Sequence, residues 1–255
     1  MAENSKIEWT DDTNNFWWGC TKVHAGCDNC YAETLSKRFG DDVWGKDKPR
    51  RMIKTAFTNL DKFQRKAVKE GRNRKVFVGS MMDIFEKPMP LVDKNGNDIP
   101  NGTEAIRNKF FIHIDLEAYD KLNFLLLTKR PSNINKYIRE KWKENPPTNV
   151  VYGCSPVDQK TYDTFIRQME KVKGKKFLSI EPQLGEIELH STEEIDWIIQ
   201  GGESGHSRRP FNLDWAYSMK AQCEELNIPY FFKQIDKIQA IPEDLMIREF
   251  PVYLK

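Results

Sequence analysis

Six short apolar runs recur along the chain: Lys75–Gly79, Leu122–Thr128, Asn149–Gly153, Lys176–Ile180, Trp197–Gly201 and Pro229–Phe232. Each is short and apolar without alternation, the pattern of a strand buried on both faces. Between them, Thr103–Ala118, Ser132–Lys143, Asp158–Val172 and Asn212–Leu226 read as amphipathic helices, the last capped by Asn212. Alternating strands and helices dictate parallel strands joined by right-handed crossovers. With one more strand near Phe16–Gly19, the expected fold is α/β, a partial or complete (β/α) barrel of about six to seven strands. An open doubly wound sheet is the alternative. The barrel is favoured because every run ends in Ser, Thr, Gly or a charged group, and such ends converge on one mouth.

A chain of 255 residues fits one such unit, and a single domain spanning 1–255 is expected. The segment Pro88–Gly102 is rich in Pro, Asn and Gly; Lys94-Asn95-Gly96 suits a hairpin turn, so an inserted loop near the mouth is expected, a surface excursion rather than a lid. No run approaches the ~18 apolar residues that would span a bilayer. The start of the chain lacks an apolar signal segment, and a cytoplasmic protein with no membrane partner is expected. The net charge of +2 gives no global electrostatic case for nucleic-acid binding. Locally, Lys62–Lys75 holds seven Lys or Arg against one Glu, a solvated helix face more readily than a phosphate-contacting patch.

Five cysteines is an odd number, and three fall within eleven residues, which suits a reducing compartment and a metal site better than disulfides. Cys20, Cys27 and Cys30 have the spacing C-x6-C-x2-C. Three thiolates from one loop bind three irons of a 4Fe-4S cubane and leave the fourth open to a chelating ligand. Gly19 and Gly26 let the backbone bend around it, and Phe16-Trp17-Trp18 supply apolar packing. A structural zinc with His24 or His206 as fourth ligand is the rival. Cys154 stands at a strand end and Cys223 within a helix.

The cysteine loop resembles that of the radical S-adenosylmethionine (SAM) superfamily, and still more its phage- and mobile-element-associated three-Cys-motif branch. The likeness rests on the tryptophan-rich lead into Gly19-Cys20, on Cys27–Glu33, Leu127–Pro131, Ser179–Pro182, Gly201–Gly205 and Phe231–Gln234. The chain departs from the superfamily pattern in a first loop three residues longer, and in Asn29 where an aromatic residue is usual. The resemblance implies a 4Fe-4S cluster on the three cysteines, whose open iron chelates SAM, and an electron donor as partner. It implies cofactor contacts from Tyr31, Ser80, Asp83, Lys129, Ser155, Glu181, Gly201 and Gly202. Asp83 would accept from the SAM ammonium, while Asp158, near Ser155, reads equally as a helix cap. Substrate contacts or catalytic roles fall to Arg130, Cys154, Glu203, His206, Arg208 and Lys233, with Arg209 beside them.

The implied activity is cleavage of SAM to a 5′-deoxyadenosyl radical that modifies or isomerises a nucleobase substituent, such as an aminoacyl-type group on thymine in phage DNA. A radical SAM DNA-lesion repair lyase is one alternative, with Cys154 its only reasonable hydrogen donor. A non-catalytic, zinc-stabilised nucleic-acid-binding protein is the other.

Overall fold

The computed structural model describes residues 3–205 and 207–255. In chain order its main elements are β1 (Asp12–Asn14), β2 (Trp17–Trp18), α1 (Tyr31–Arg38), β3 (Arg50–Met52), α2 (Ala56–Glu70), β4 (Arg74–Val78), β5 (Leu91–Val92) and β6 (Asp98–Ile99). There follow α3 (Gly102–Asp115), β7 (Leu122–Thr128), α4 (Ile134–Tyr137), β8 (Val150–Cys154), α5 (Gln159–Met169), β9 (Lys175–Ile180), β10 (Trp197–Gly201), α6 (Leu213–Leu226) and β11 (Tyr230–Gln234).

Seven strands form one parallel sheet in the order β1-β4-β7-β8-β9-β10-β11. The order never reverses, so the sheet is a partial barrel and not a doubly wound sheet, which would show a switch point. Right-handed crossovers of constant sense put the helices on one face, where Leu60 and Phe63 of α2, Phe110 and Phe111 of α3, Tyr162 and Ile166 of α5 and Met219 of α6 bury against the strands. The other face is concave and must fill itself. It does so with a second core of Phe77, Leu125, Val151, Phe177, Trp197, Ile199 and Phe231, joined by Trp9 and Leu254. Gly153 lies in this layer because the Phe177 ring occupies the space its side chain would need.

Two expectations change. The first barrel strand is β1, not Phe16–Gly19: Trp17–Trp18 instead pairs antiparallel with β3 in a second sheet ordered β2-β3-β5-β6. Asp12-Thr13-Asn14 hid because it is polar, yet Asp12 is buried against the Arg74 guanidinium at 2.7 Å. Ser132–Lys143 is not one helix; only Ile134–Tyr137 is α-helical, flanked by 3-10 turns at Pro131–Asn133 and Glu140–Lys143. The hairpin within Pro88–Gly102 forms as β5 and β6, but it completes the second sheet through β3, and none of its residues lines the mouth. Much of the basic run Lys62–Lys75 is spent on ion pairs: Lys66 with Glu3, Arg72 with Asp11, and Arg74 with Asp12 and Glu70.

Candidate active site at the barrel mouth

The cysteine loop follows β2 and is fixed hard at its start. Gly19 adopts φ 115°, and a side chain there would run into the Val43 carbonyl and Arg50, so only glycine fits. Its N–H donates to the Met81 carbonyl, and Gly45 N–H donates to the Cys20 carbonyl. Arg50, fully buried, donates to Thr21 Oγ1 at 2.8 Å and pairs with Glu86 at 2.8 Å. From the turn after β7, Arg130 Nη1 lies 3.6 Å from Cys20 Sγ and 2.6 Å from Asp83 Oδ2, while Nη2 donates to the Thr21 carbonyl. Burial first, then the Glu86 carboxylate, pushes the Cys20 thiol up to about 12, with Arg130 opposing.

Further along, Cys27 closes a 3-10 turn over Ala25–Cys27, capped by His24, whose Nδ1 accepts from Gly26 N–H at 3.1 Å. Cys30 is the N-cap residue of α1; burial raises its thiol pKa against the pull of the Glu33 and Ala32 N–H groups. All three thiols are free and line one cavity.

The same cavity takes Tyr31, Ser80, Asp83, Lys129, Arg130, Ser155, Glu181, Gly202, Glu203 and Lys233. Strand pleat decides this set, since residues two apart at the C-terminal ends share the concave face. Tyr31 donates to the Ser80 carbonyl at 2.8 Å, and Ser80 Oγ accepts from Asn15 at 2.7 Å. The Asp83 carboxylate, expected to meet an ammonium, accepts from Thr128 Oγ1 at 2.8 Å, from Arg130 and from Phe85 N–H. It braces the Thr128-Lys129-Arg130 turn. Lys233 pairs with Glu181 Oε2 at 2.9 Å, and Lys129 Nζ donates to the Glu181 carbonyl at 3.2 Å. Glu181 Oε1 and Ser179 Oγ are buried in the cavity lining with no hydrogen-bond partner among the described residues.

Other expected site residues lie elsewhere. Cys154 is fully buried in the core beneath the helices, because the pleat turns it away from the face that Gly153 and Ser155 share. Arg208 pairs with Asp236 at 2.8 Å outside the cavity lining. Gly201 leaves room for Glu181 and Gln234. Asp158 is the cap of α5, in a reciprocal capping box with Thr161. His206 lies outside the described residues. Sequence reasoning did not identify Arg50, Glu86 or Thr21 as supports of the first cysteine, and no local pattern marks them.

Among the described residues, no group of three or more His, Cys, Asp or Glu side chains is arranged to hold a metal ion. Cys20, Cys27 and Cys30, free thiols lining one cavity with the Arg130 guanidinium beside Cys20 and the N-terminus of α1 at Cys30, are the residues that would hold a cluster.

Fold and site together define a partial parallel barrel with a cysteine-lined mouth. The chain belongs to the family described as protein of unknown function (DUF5131), whose model matches residues 4–244. No curated protein and no solved structure matches the chain. Among the described residues no helix is long and apolar enough to cross a membrane.

Proposed function

We propose that this chain is a radical SAM enzyme that holds a 4Fe-4S cluster on Cys20, Cys27 and Cys30 and modifies or isomerises a nucleobase substituent, with DNA the favoured carrier. What supports the reading most is that three free thiols from one loop and the polar ends of the parallel strands line a single cavity. The cluster and SAM supply the one-electron cleavage that yields a 5′-deoxyadenosyl radical, which side chains alone do not provide. The chain's own residues do the positioning. Ser179 Oγ and Glu181 Oε1 accept hydrogen bonds from bound ligand, while Lys129 and Lys233 offset anionic groups on it. Ile7, Trp9 and Phe77 line the same cavity and exclude water from reactive species. A thymine substituent of aminoacyl type is the substrate proposed, and an external electron donor is the partner. The lyase alternative loses its discriminator, because Cys154 does not line the cavity.

Anaerobic purification with iron and sulfide analysis, then incubation with SAM and a strong reductant, tests the class. Formation of 5′-deoxyadenosine is the expected result. Stoichiometric zinc, with no iron after reconstitution and no SAM cleavage, would sink it in favour of the zinc-stabilised alternative. Binding to modified against unmodified DNA tests the substrate, and indifference to both defeats that part.

A further inference from the structure

The loop after β10 reaches across the mouth to the cysteine loop. Asn29, directly before the third cysteine, donates through Nδ2 to Glu203 Oε2 at 3.0 Å. Arg209 N–H donates to that same oxygen at 2.7 Å, and its guanidinium donates to Glu203 Oε1 from Nε at 3.1 Å. The guanidinium then continues to the cysteine loop itself: Nη2 donates to the Ala25 carbonyl at 2.9 Å, and Nη1 lies 3.6 Å from Asp28 Oδ2. Glu203 is only 8% exposed, and although burial works to raise its pKa, Arg209 and Asn29 hold the carboxyl below its ordinary value.

We infer that Asn29, Glu203 and Arg209 form a latch that holds the Cys27–Cys30 half of the loop in the geometry that receives the metal, so that these are positioning residues. The inference rests on the proposed cluster for its purpose but not for its contacts. Two observations carry it. The first half of the loop is pinned by Arg50 and Arg130, whereas residues 22–30 are held locally by short-range hydrogen bonds, the His24 cap and Lys22 donating to the Asp28 carbonyl at 3.1 Å, which do not tie them to the barrel. The latch is also long-range, joining positions 174 apart, between the cysteine loop, which lies in the β1–β4 connection, and the loop after β10, near opposite ends of the open sheet. A ligand loop without such a hold would sample many thiol separations, and its ordering would be charged against metal affinity. The latch also accounts for Asn29: an amide that donates to a carboxylate is what Glu203 requires at that position.

The test uses the full chain, first without metal. In Arg209→Ala, whose side chain is partly exposed, and in Glu203→Gln, amide exchange of residues 22–30 should rise at least about ten-fold in Arg209→Ala and less in Glu203→Gln, which keeps acceptor and shape but loses the charge. The melting temperature and exchange in β7 to β9 should stay as in the parent. Reconstitution with iron and sulfide should then load fewer irons per chain in Arg209→Ala, with partial recovery in Glu203→Gln. Unchanged loop exchange in Arg209→Ala overturns the latch, as does a rise spread evenly over the whole molecule. If the parent chain takes up no iron while the loop exchange changes as stated, the cluster reading fails and the latch stands.

Discussion

His24 caps the turn that carries Cys27 by accepting a hydrogen bond on Nδ1, a role open only to the neutral ring. Burial first, then the Lys129 and Arg130 charges, lowers its pKa to about 4 from an ordinary 6.5. The fold therefore favours the neutral form: its stability contribution is complete above about pH 6.5 and is lost as pH falls from there toward 4. An NMR titration of the His24 ring in the metal-free protein should give a midpoint near 4, and a midpoint near 6.5 would contradict the buried cap. Gly153 makes a second single-residue case. Alanine ordinarily favours a strand interior over glycine, but here its Cβ would meet the Phe177 ring, so Gly153→Ala should cost about 1–3 kcal/mol in urea unfolding. At this scale the sequence was readable wherever the signal is local: the three cysteines by spacing, the cavity set by position at strand ends. Asn29 with Glu203 and Arg130 with Cys20 were not readable as pairs, since they are 174 and 110 positions apart and only the closed fold makes them neighbours.

Among the elements, the six apolar runs were legible because burial on both faces makes them predominantly apolar, whereas β1 was not, because Asp12, Thr13 and Asn14 are polar and only the closed fold sets Asp12 against Arg74. The stretch Ser132–Lys143 looked helical by periodicity, yet it opens in a 3-10 turn from Pro131 and the extended Ile138 and Arg139 split the rest into separate turns. Asp158 shows the value of separating a cap from a ligand. Its carboxylate accepts from Thr161 N–H at 2.8 Å, and the Thr161 hydroxyl returns to the Asp158 N–H at 3.1 Å. Asp158→Ala should lower stability by about 1 kcal/mol in chemical denaturation while leaving iron content unchanged. A large loss of SAM cleavage without loss of stability would instead place Asp158 in ligand binding.

The whole molecule faces a problem that its open sheet creates: β1 and β11 are not paired, so the concave core has an unclosed side. The chain answers with segments outside the sheet. Trp9, ahead of β1, packs 4.6 Å from Phe77 and 6.3 Å from Trp197 between ring centroids, filling the interior. At the end opposite the mouth, the last residues return beneath it. Lys75 Nζ donates to the Leu254 carbonyl at 3.3 Å, Asn123 to the Tyr253 carbonyl at 3.4 Å, and Trp197 Nε1 to the Glu249 carbonyl at 2.9 Å. Leu254, 3% exposed, belongs to that inner core. If the tail is a true floor, Leu254→Ala should destabilise the whole fold by about 2–5 kcal/mol, the cost of a cavity at a buried leucine. If it merely rests on the surface, the change should be within about 0.5 kcal/mol. Urea unfolding followed by tryptophan fluorescence distinguishes the two, because Trp9 and Trp197 sit in that core and report its opening directly. Because the floor and the cysteine loop lie at opposite ends of the barrel, the proposed cluster reading has folded Leu254→Ala load iron like the parent, which separates a weakened scaffold from a damaged site.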